Sequence, residues 1–221
     1  MYNENRLSTT QSIFFLLISL LMNALGNGLT VATNMGSPVW TASAANIAYF
    51  SNVSIGTVLV LYGLLQIVIN CFLLYEINLR RIIGNLIFIG FFGPLVAVSK
   101  NFFLTYLHVA FAPLYFKIIL AFIGVTMVAI AVSIYQRVNL ILHPGDEMTN
   151  IIRFKYTNGN AQTAQLINFL IPAIIILLIG IAEHHLVAVN IGTVFALFGQ
   201  GIIIGIADRS VFPKLSHYHH Y

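Results

Sequence analysis

The sequence predicts an all-α integral membrane protein, a single transmembrane domain over residues 1–221 with six transmembrane helices, on three observations. The 221 residues are 59% hydrophobic and only 7% charged, whereas a water-facing surface brings soluble domains to about 25% charged. From Leu7 to Tyr75 there is no Asp, Glu, Lys or Arg, and lipid is the solvent such a run fits. Apolar stretches near the roughly 20 residues that cross hydrocarbon then recur six times.

Those stretches are Ser12–Thr33, Ile55–Tyr75, Ile82–Val98, Leu114–Gln136, Thr163–Ala182 and Ala188–Ala207. Arg6 ahead of the first gives it the look of a signal peptide. The apolar run outlasts an h-region, however, and more spans follow, so it reads as a helix. Pro113 suits a first helical turn, while Pro94 and Pro172 fall inside spans and predict kinks. The connections Asn34–Ser54 and Val138–Gln162 are long, and each carries a turn and a mildly amphipathic stretch. Two placements fit them: a dip back into the protein, lining a cavity, or a helix lying at the interface.

Lys and Arg fix the orientation, since short cytoplasmic loops are enriched in them. With the N-terminus inside, Arg6, Arg80, Arg81, Arg137, Arg153, Lys155, Arg209 and Lys214 fall on the cytoplasmic side and only Lys100 and Lys117 outside. The expectation is a plasma-membrane protein with both termini cytoplasmic. The net charge of +4 therefore reflects topology, and the scattered basic residues form no nucleic-acid patch.

A faint repeat is also present. Met35-Gly36-Ser37-Pro38 and Pro144-Gly145-Asp146-Glu147 lie 109 residues apart, and Gly84 and Gly93 find counterparts in Gly192 and Gly201 at a shift of 108. Duplication of a three-helix unit, with halves 1–110 and 111–221, gives a 3+3 inverted repeat, because three crossings reverse the second copy.

Small residues recur every fourth position at Ala24, Gly28, Ala32 and Gly36, a smooth stripe suited to close helix contact, either within the chain or with a partner subunit. Asn23, Asn27 and Asn34 lie beside it. The outer segments supply candidate substrate-binding residues: Trp40, Asn46 and Tyr49, then Asn101 and His108, then Glu183 and His184 with His185. Trp and Tyr there suit either stacking on a flat solute or anchoring at the interface. Gln66, Asn70 and Asn168 are polar groups within spans that need partners. No span holds a central acid of the proton-pump kind, which weighs against a self-powered transporter.

Other chemistry is poorly served. A lone Cys71 excludes an internal disulfide and a cysteine zinc motif. Adjacent His184 and His185 point about 100° apart on a helix and make no ligand pair. His217, His219 and His220 offer at most loose metal binding in a frayed tail, so no metal and no cofactor is expected. No zinc-protease, nucleophile-elbow or nucleotide-binding loop motif occurs, so the chain reads as no enzyme and any ATP hydrolysis belongs to partners.

The run Gly28-Leu29-Thr30-Val31-Ala32-Thr33-Asn34-Met35-Gly36-Ser37-Pro38-Val39-Trp40, the His143-Pro144-Gly145-Asp146 turn and Gly192, Gly201 and Gly205 in the last helix resemble the YczE/YitT-like family of small bacterial membrane proteins, a likeness that implies fold more than activity. Size, six helices, cytoplasmic ends and the small-residue stripe also resemble the substrate-binding S components of energy-coupling factor transporters. That resemblance implies capture of a vitamin or precursor, pyridoxine-like or hydroxymethylpyrimidine-like, by the outer residues. It further implies docking of Ala24, Gly28, Ala32 and Gly36 on a transmembrane scaffold protein driven by two cytoplasmic ATPases. The alternatives are an autonomous inverted-repeat permease or exporter, and a membrane regulatory or interaction protein.

Overall fold

The computed structural model describes residues 7–217; Arg6, His219 and His220 lie outside the described residues. The chain is an all-α membrane protein: six of its helices are long and apolar enough to cross a bilayer. They are α1 (Thr9–Thr33), α3 (Ile55–Leu74), α4 (Leu79–Thr105), α5 (Leu114–Val138), α7 (Ala161–Glu183) and α8 (Ile191–Ser210), and two shorter helices, α2 (Val39–Ser51) and α6 (Pro144–Ile151), occupy the long connections. The third span runs seven residues beyond its sequence-read end at Val98. The sixth starts at Ile191 rather than Ala188, because the chain turns through left-handed His184 and Ala188 first. Helices α4 and α7 continue through Pro94 and Pro172.

Local chemistry sets the ends. Ser8 and Gln11 cap the start of α1 reciprocally, each side chain reaching the other's backbone N–H at 3.2 and 3.0 Å. Asn34 and Asn139 close α1 and α5 in the left-handed conformation that asparagine tolerates.

The burial pattern is that of a protein in hydrocarbon. Small and polar residues such as Ser19, Ala24, Asn23, Ala129 and Ser133 are buried, while Leu17, Leu61, Phe91 and Leu177 face outward. Helix α1 occupies the centre against α4 and α5. A Cβ added to Gly26 would lie 2.7 Å from the Gly124 carbonyl oxygen, and one on Gly28 would lie 2.5 Å from Ser99 Cβ. Such approach of backbones is what small residues permit. Asn23 hydrogen-bonds Tyr135 and Gly26 meets Gly124, so α1 and α5 run antiparallel.

The second half restates the element order of the first. Helices α1 and α5 each have 25 residues, and α2 has 13, matched by α6 and the π-helical turn Ile152–Tyr156 that extends it. Equivalent hydrogen bonds recur. Tyr62 pairs with Ser43 and, 106 positions on, Asn168 pairs with Thr149. Asn85 donates to the Leu142 carbonyl, as Thr193 does to that of Ser37. In the connections the equivalence therefore runs at 105–106 positions, pairing Pro38 with His143–Pro144, and not at the 109 read from the glycine turns. The shift of 108 holds for Gly84 and Gly192, each of which meets the connection of the other half, at Ile141 and Met35.

Candidate functional site

Two half-length helices meet at the middle of α3. Trp40, in the first turn of α2, packs edge-on against Tyr62 with ring centroids 5.0 Å apart. Pro144 and Gly145, in the first turn of α6, lie against Gly63 and Gln66. Those α3 residues are the eighth, ninth and twelfth of twenty. From that level α2 runs to one end of the bundle, where Tyr49 sits 6.1 Å from His185. Helix α6 and its π turn run to the other end, where Lys155 and Tyr156 donate to the Leu73 carbonyl at 2.7 and 3.0 Å. The Pro at the first position of α6 and the turn-forming residues ahead of both helices start them there.

Asn168 of α7 ties the junction. Its amide nitrogen donates to Gly145 O at 3.1 Å and Thr149 Oγ1 at 2.6 Å, and its oxygen accepts the Trp40 indole N–H at 3.3 Å. Asn70 donates to Pro144 O at 2.9 Å. Gln66 is 1% exposed, and its Oε1 has no hydrogen-bond partner among the described residues.

Beside the junction lies a titratable network. Tyr135 donates to Asp146 Oδ2 and accepts from Asn23 Nδ2 at 3.0 Å; Asn27 donates to Asn23 Oδ1 at 2.6 Å. His143 Nδ1 accepts the Gly145 N–H at 3.1 Å, which places its ring proton on Nε2, and its ring lies 5.5 and 6.0 Å from those of Phe88 and Phe92.

A cavity of about 540 Å³ opens from the Arg-rich end of the bundle and reaches Asn85 and Glu147. Arg80, Arg81, Glu76 and Asn78 rim it, and Arg81 stands 3.6 Å from Glu147. At the opposite end the equivalent space is stitched shut. Ser37 N–H donates to Ala188 O at 3.3 Å, Gly192 N–H to Met35 O at 2.8 Å, and Asn46 spans Val187 with both its amide groups.

At the Arg-rich end a second charged group is structural. Asp208 accepts from Ser133 at 2.6 Å and faces Arg137, Arg153 at 2.6 Å and His217 at 3.1 Å. Arg137 also donates to the Val211 and Phe212 carbonyls, which holds the C-terminal segment on the bundle. Burial draws the His217 imidazole below its ordinary range, with the Asp208 carboxylate pulling the other way.

The substrate-binding residues read from sequence do not converge. Trp40 points into the junction rather than outward, and Asn46 is fully buried and spent on the Val187 backbone and its own helix. Tyr49, Asn101, His108, Glu183 and His184 are exposed, on the α2 end, α4, the α4–α5 turn, the last residue of α7 and the α7–α8 loop. Ala24, Gly28 and Ala32 are buried within the chain, and Gly36 packs on Thr193. The stripe, which the sequence leaves open to contact within the chain or with a partner and the S-component resemblance would dock on a scaffold, is covered by the chain's own helices, because α1 is central. Sequence reading does not join Asp146, Glu147 and His143 to Tyr135: the 138–162 connection fits either a dip back into the protein or a helix at the interface, and Tyr135 lies in the preceding span. The signal was there in the Pro-led turn with two acids after it, in a connection as long as the one carrying Trp40.

A family model described as "Family of unknown function (DUF6198)" matches residues 10–209. No curated protein and no solved structure matches the chain.

Proposed function

The chain belongs to this family of unknown function, and we propose that it is a self-sufficient transporter of a small polar solute, working by alternating access between two inverted halves. One observation carries the reading: half-helices from opposite ends meet at a polar junction, with a cavity open on one side of it and a stitched seal on the other. Broken helices meeting at mid-depth are how membrane proteins bring backbone and polar side chains to a solute. The halves also pack unequally, as a two-state device requires. A Cβ on Gly201 would lie 2.7 Å from Gln162 Cα, so α7 and α8 touch, whereas Gly93, its counterpart in α4, has nothing within 4 Å.

The cavity rim pairs cations with carboxylates, which suits a solute bearing both charge and hydrogen-bonding groups. The balance of Lys and Arg supports an open side facing the cytoplasm, in a plasma-membrane protein. Duplication of an ancestral three-helix unit accounts for the equivalent hydrogen bonds, and the resemblance to YczE/YitT-like proteins agrees with the length and span count. The S-component resemblance supplies the competing reading, in which the chain binds a vitamin-like solute and a scaffold with ATPases moves it.

The test is to find ligands by thermal-shift screening of the purified chain and follow their flux in proteoliposomes containing this protein alone. Gradient-driven uptake supports the proposal. Binding without flux, with flux restored by a scaffold and ATPases, replaces it with the S-component reading.

A further inference from the structure

We infer that Asp146 is a proton-binding site that couples proton movement to the transport cycle, an inference that rests on the transporter reading above. Three acids lie buried or nearly so in the core, and their surroundings differ. Asp208 meets Arg137, Arg153 and His217, and Glu147 meets Arg81. Asp146 has no such partner. Among the described residues the one basic group within 4.0 Å is His143 Nδ1, at that limit. That nitrogen already accepts the Gly145 N–H, so its lone pair, not a proton, faces the region of the carboxylate. The His143–Asp146 contact is therefore no ion pair.

The remaining neighbours are uncharged or turned elsewhere. From α5 comes the Tyr135 hydroxyl, which donates to Asp146, and from α1 the Asn23 amide that supports Tyr135. On α3 the titratable group nearest the junction, Tyr62, is held by Ser43, and α7 presents the uncharged Asn168. Glu147 is engaged toward the cavity with Arg81.

An ionised carboxylate without a counter-charge in a low-dielectric interior is costly by several kcal/mol. The Tyr135 hydrogen bond and the N-terminal end of α6 offset part of that cost. The two tendencies oppose one another, which is what a group that must both take and release a proton requires. The step is simple: a proton adds to one carboxylate oxygen, the charge goes from −1 to zero, and no other bond breaks. Ionised Asp146 holds α6 to α5 and α1 through a charge-assisted bond from Tyr135. Protonated, it holds them through a weaker neutral one, and the first turn of α6, with Glu147 at the cavity wall, is released to move. The Asp146 side chain is 18% exposed, so protons reach it.

The test reads proton binding directly and uses no solute. Infrared difference spectra of the full chain in lipid are recorded across a pH titration, following the carbonyl stretch of protonated carboxylic acids. The expected result is a titrating band that disappears in Asp146→Asn, persists in Glu147→Gln and survives at a shifted frequency in Asp146→Glu. In Tyr135→Phe, which removes the donor favouring the ionised form, the midpoint should rise by about one pH unit or more. A band untouched by Asp146→Asn, or an Asp146 that stays ionised throughout the titration, overturns the inference. Should Asp146→Asn not fold, an unmoved midpoint in Tyr135→Phe overturns it equally. Proton binding with no solute flux would sink the transporter reading alone; pH-independent flux would sink the coupling alone.

Discussion

Replacing Asn168 by Leu removes the tie between the two half-helices while keeping the branched outline of the side chain. Three hydrogen bonds go: the indole N–H of Trp40 at 3.3 Å, Gly145 O at 3.1 Å and Thr149 Oγ1 at 2.6 Å. The losses are unequal. Gly145 O keeps a donor, because the Thr149 hydroxyl also reaches it at 3.1 Å, whereas Trp40 Nε1 has no second acceptor among the described residues. Hydrogen bonds between membrane helices contribute about 0.6 kcal/mol on average. Three of them, with one donor left unsatisfied, put the cost at about 2 kcal/mol. Reversible unfolding in mixed detergent, monitored by far-ultraviolet circular dichroism so that variants lacking Trp40 are read in the same way, measures it. A double-mutant cycle with Trp40→Phe then isolates the indole bond, with an expected coupling of about 0.6 kcal/mol. A loss below about 0.5 kcal/mol for Asn168→Leu, or strict additivity in the cycle, refutes the claim that this residue joins the half-helices.

Gly201→Ala and Gly93→Ala should act in opposite directions although the positions correspond. The first forces a Cβ to 2.7 Å from Gln162 Cα and should destabilise by about 1–3 kcal/mol; the second enters open space and should stabilise α4 by up to about 1 kcal/mol, both read in the same unfolding assay. Asp208→Asn leaves Arg137 and Arg153 facing each other without a carboxylate. A loss of about 3–5 kcal/mol is expected, with protease cleavage between α8 and the C-terminus accelerated. Asn46→Ala orphans both the N–H and the carbonyl of Val187. It should raise labelling of a cysteine placed in the α7–α8 loop without altering that of one at the Arg-rich end.

The six crossings were legible because hydropathy is additive along the chain and needs no knowledge of neighbours. The interior of the bundle was not legible for the opposite reason. Asn46 reads as an outer-loop ligand until Val187, 141 positions away, is seen to use both ends of its amide. Likewise the depth of Asp146 stays open between the interface and the interior until Pro144 and Gly145 are found against Gly63 and Gln66. A thirteen-residue helix is too short to register as a span, yet at about 1.5 Å per residue it covers about 20 Å, enough to carry a charge from one face to the centre. Length alone therefore left the depth of both connections undecided.

The repeated frame and the unrepeated chemistry explain one another. Framework contacts recur in both halves: Tyr62 with Ser43 and Asn168 with Thr149, and Asn85 with Leu142 and Thr193 with Ser37. These satisfy buried polar groups, a need common to both copies. At the junction, equivalent positions instead hold Trp40 and Asp146, and Thr30 and Tyr135. One half-helix thus presents a neutral indole donor whose needs Asn168 meets, the other a carboxylate met by a hydroxyl. Were both positions acidic, two uncompensated charges would sit at one depth and repel strongly in low dielectric. A single acid within a symmetric frame avoids that repulsion and confines the titratable centre to α6. The half-helix that can change its charge is then the one that walls the open cavity.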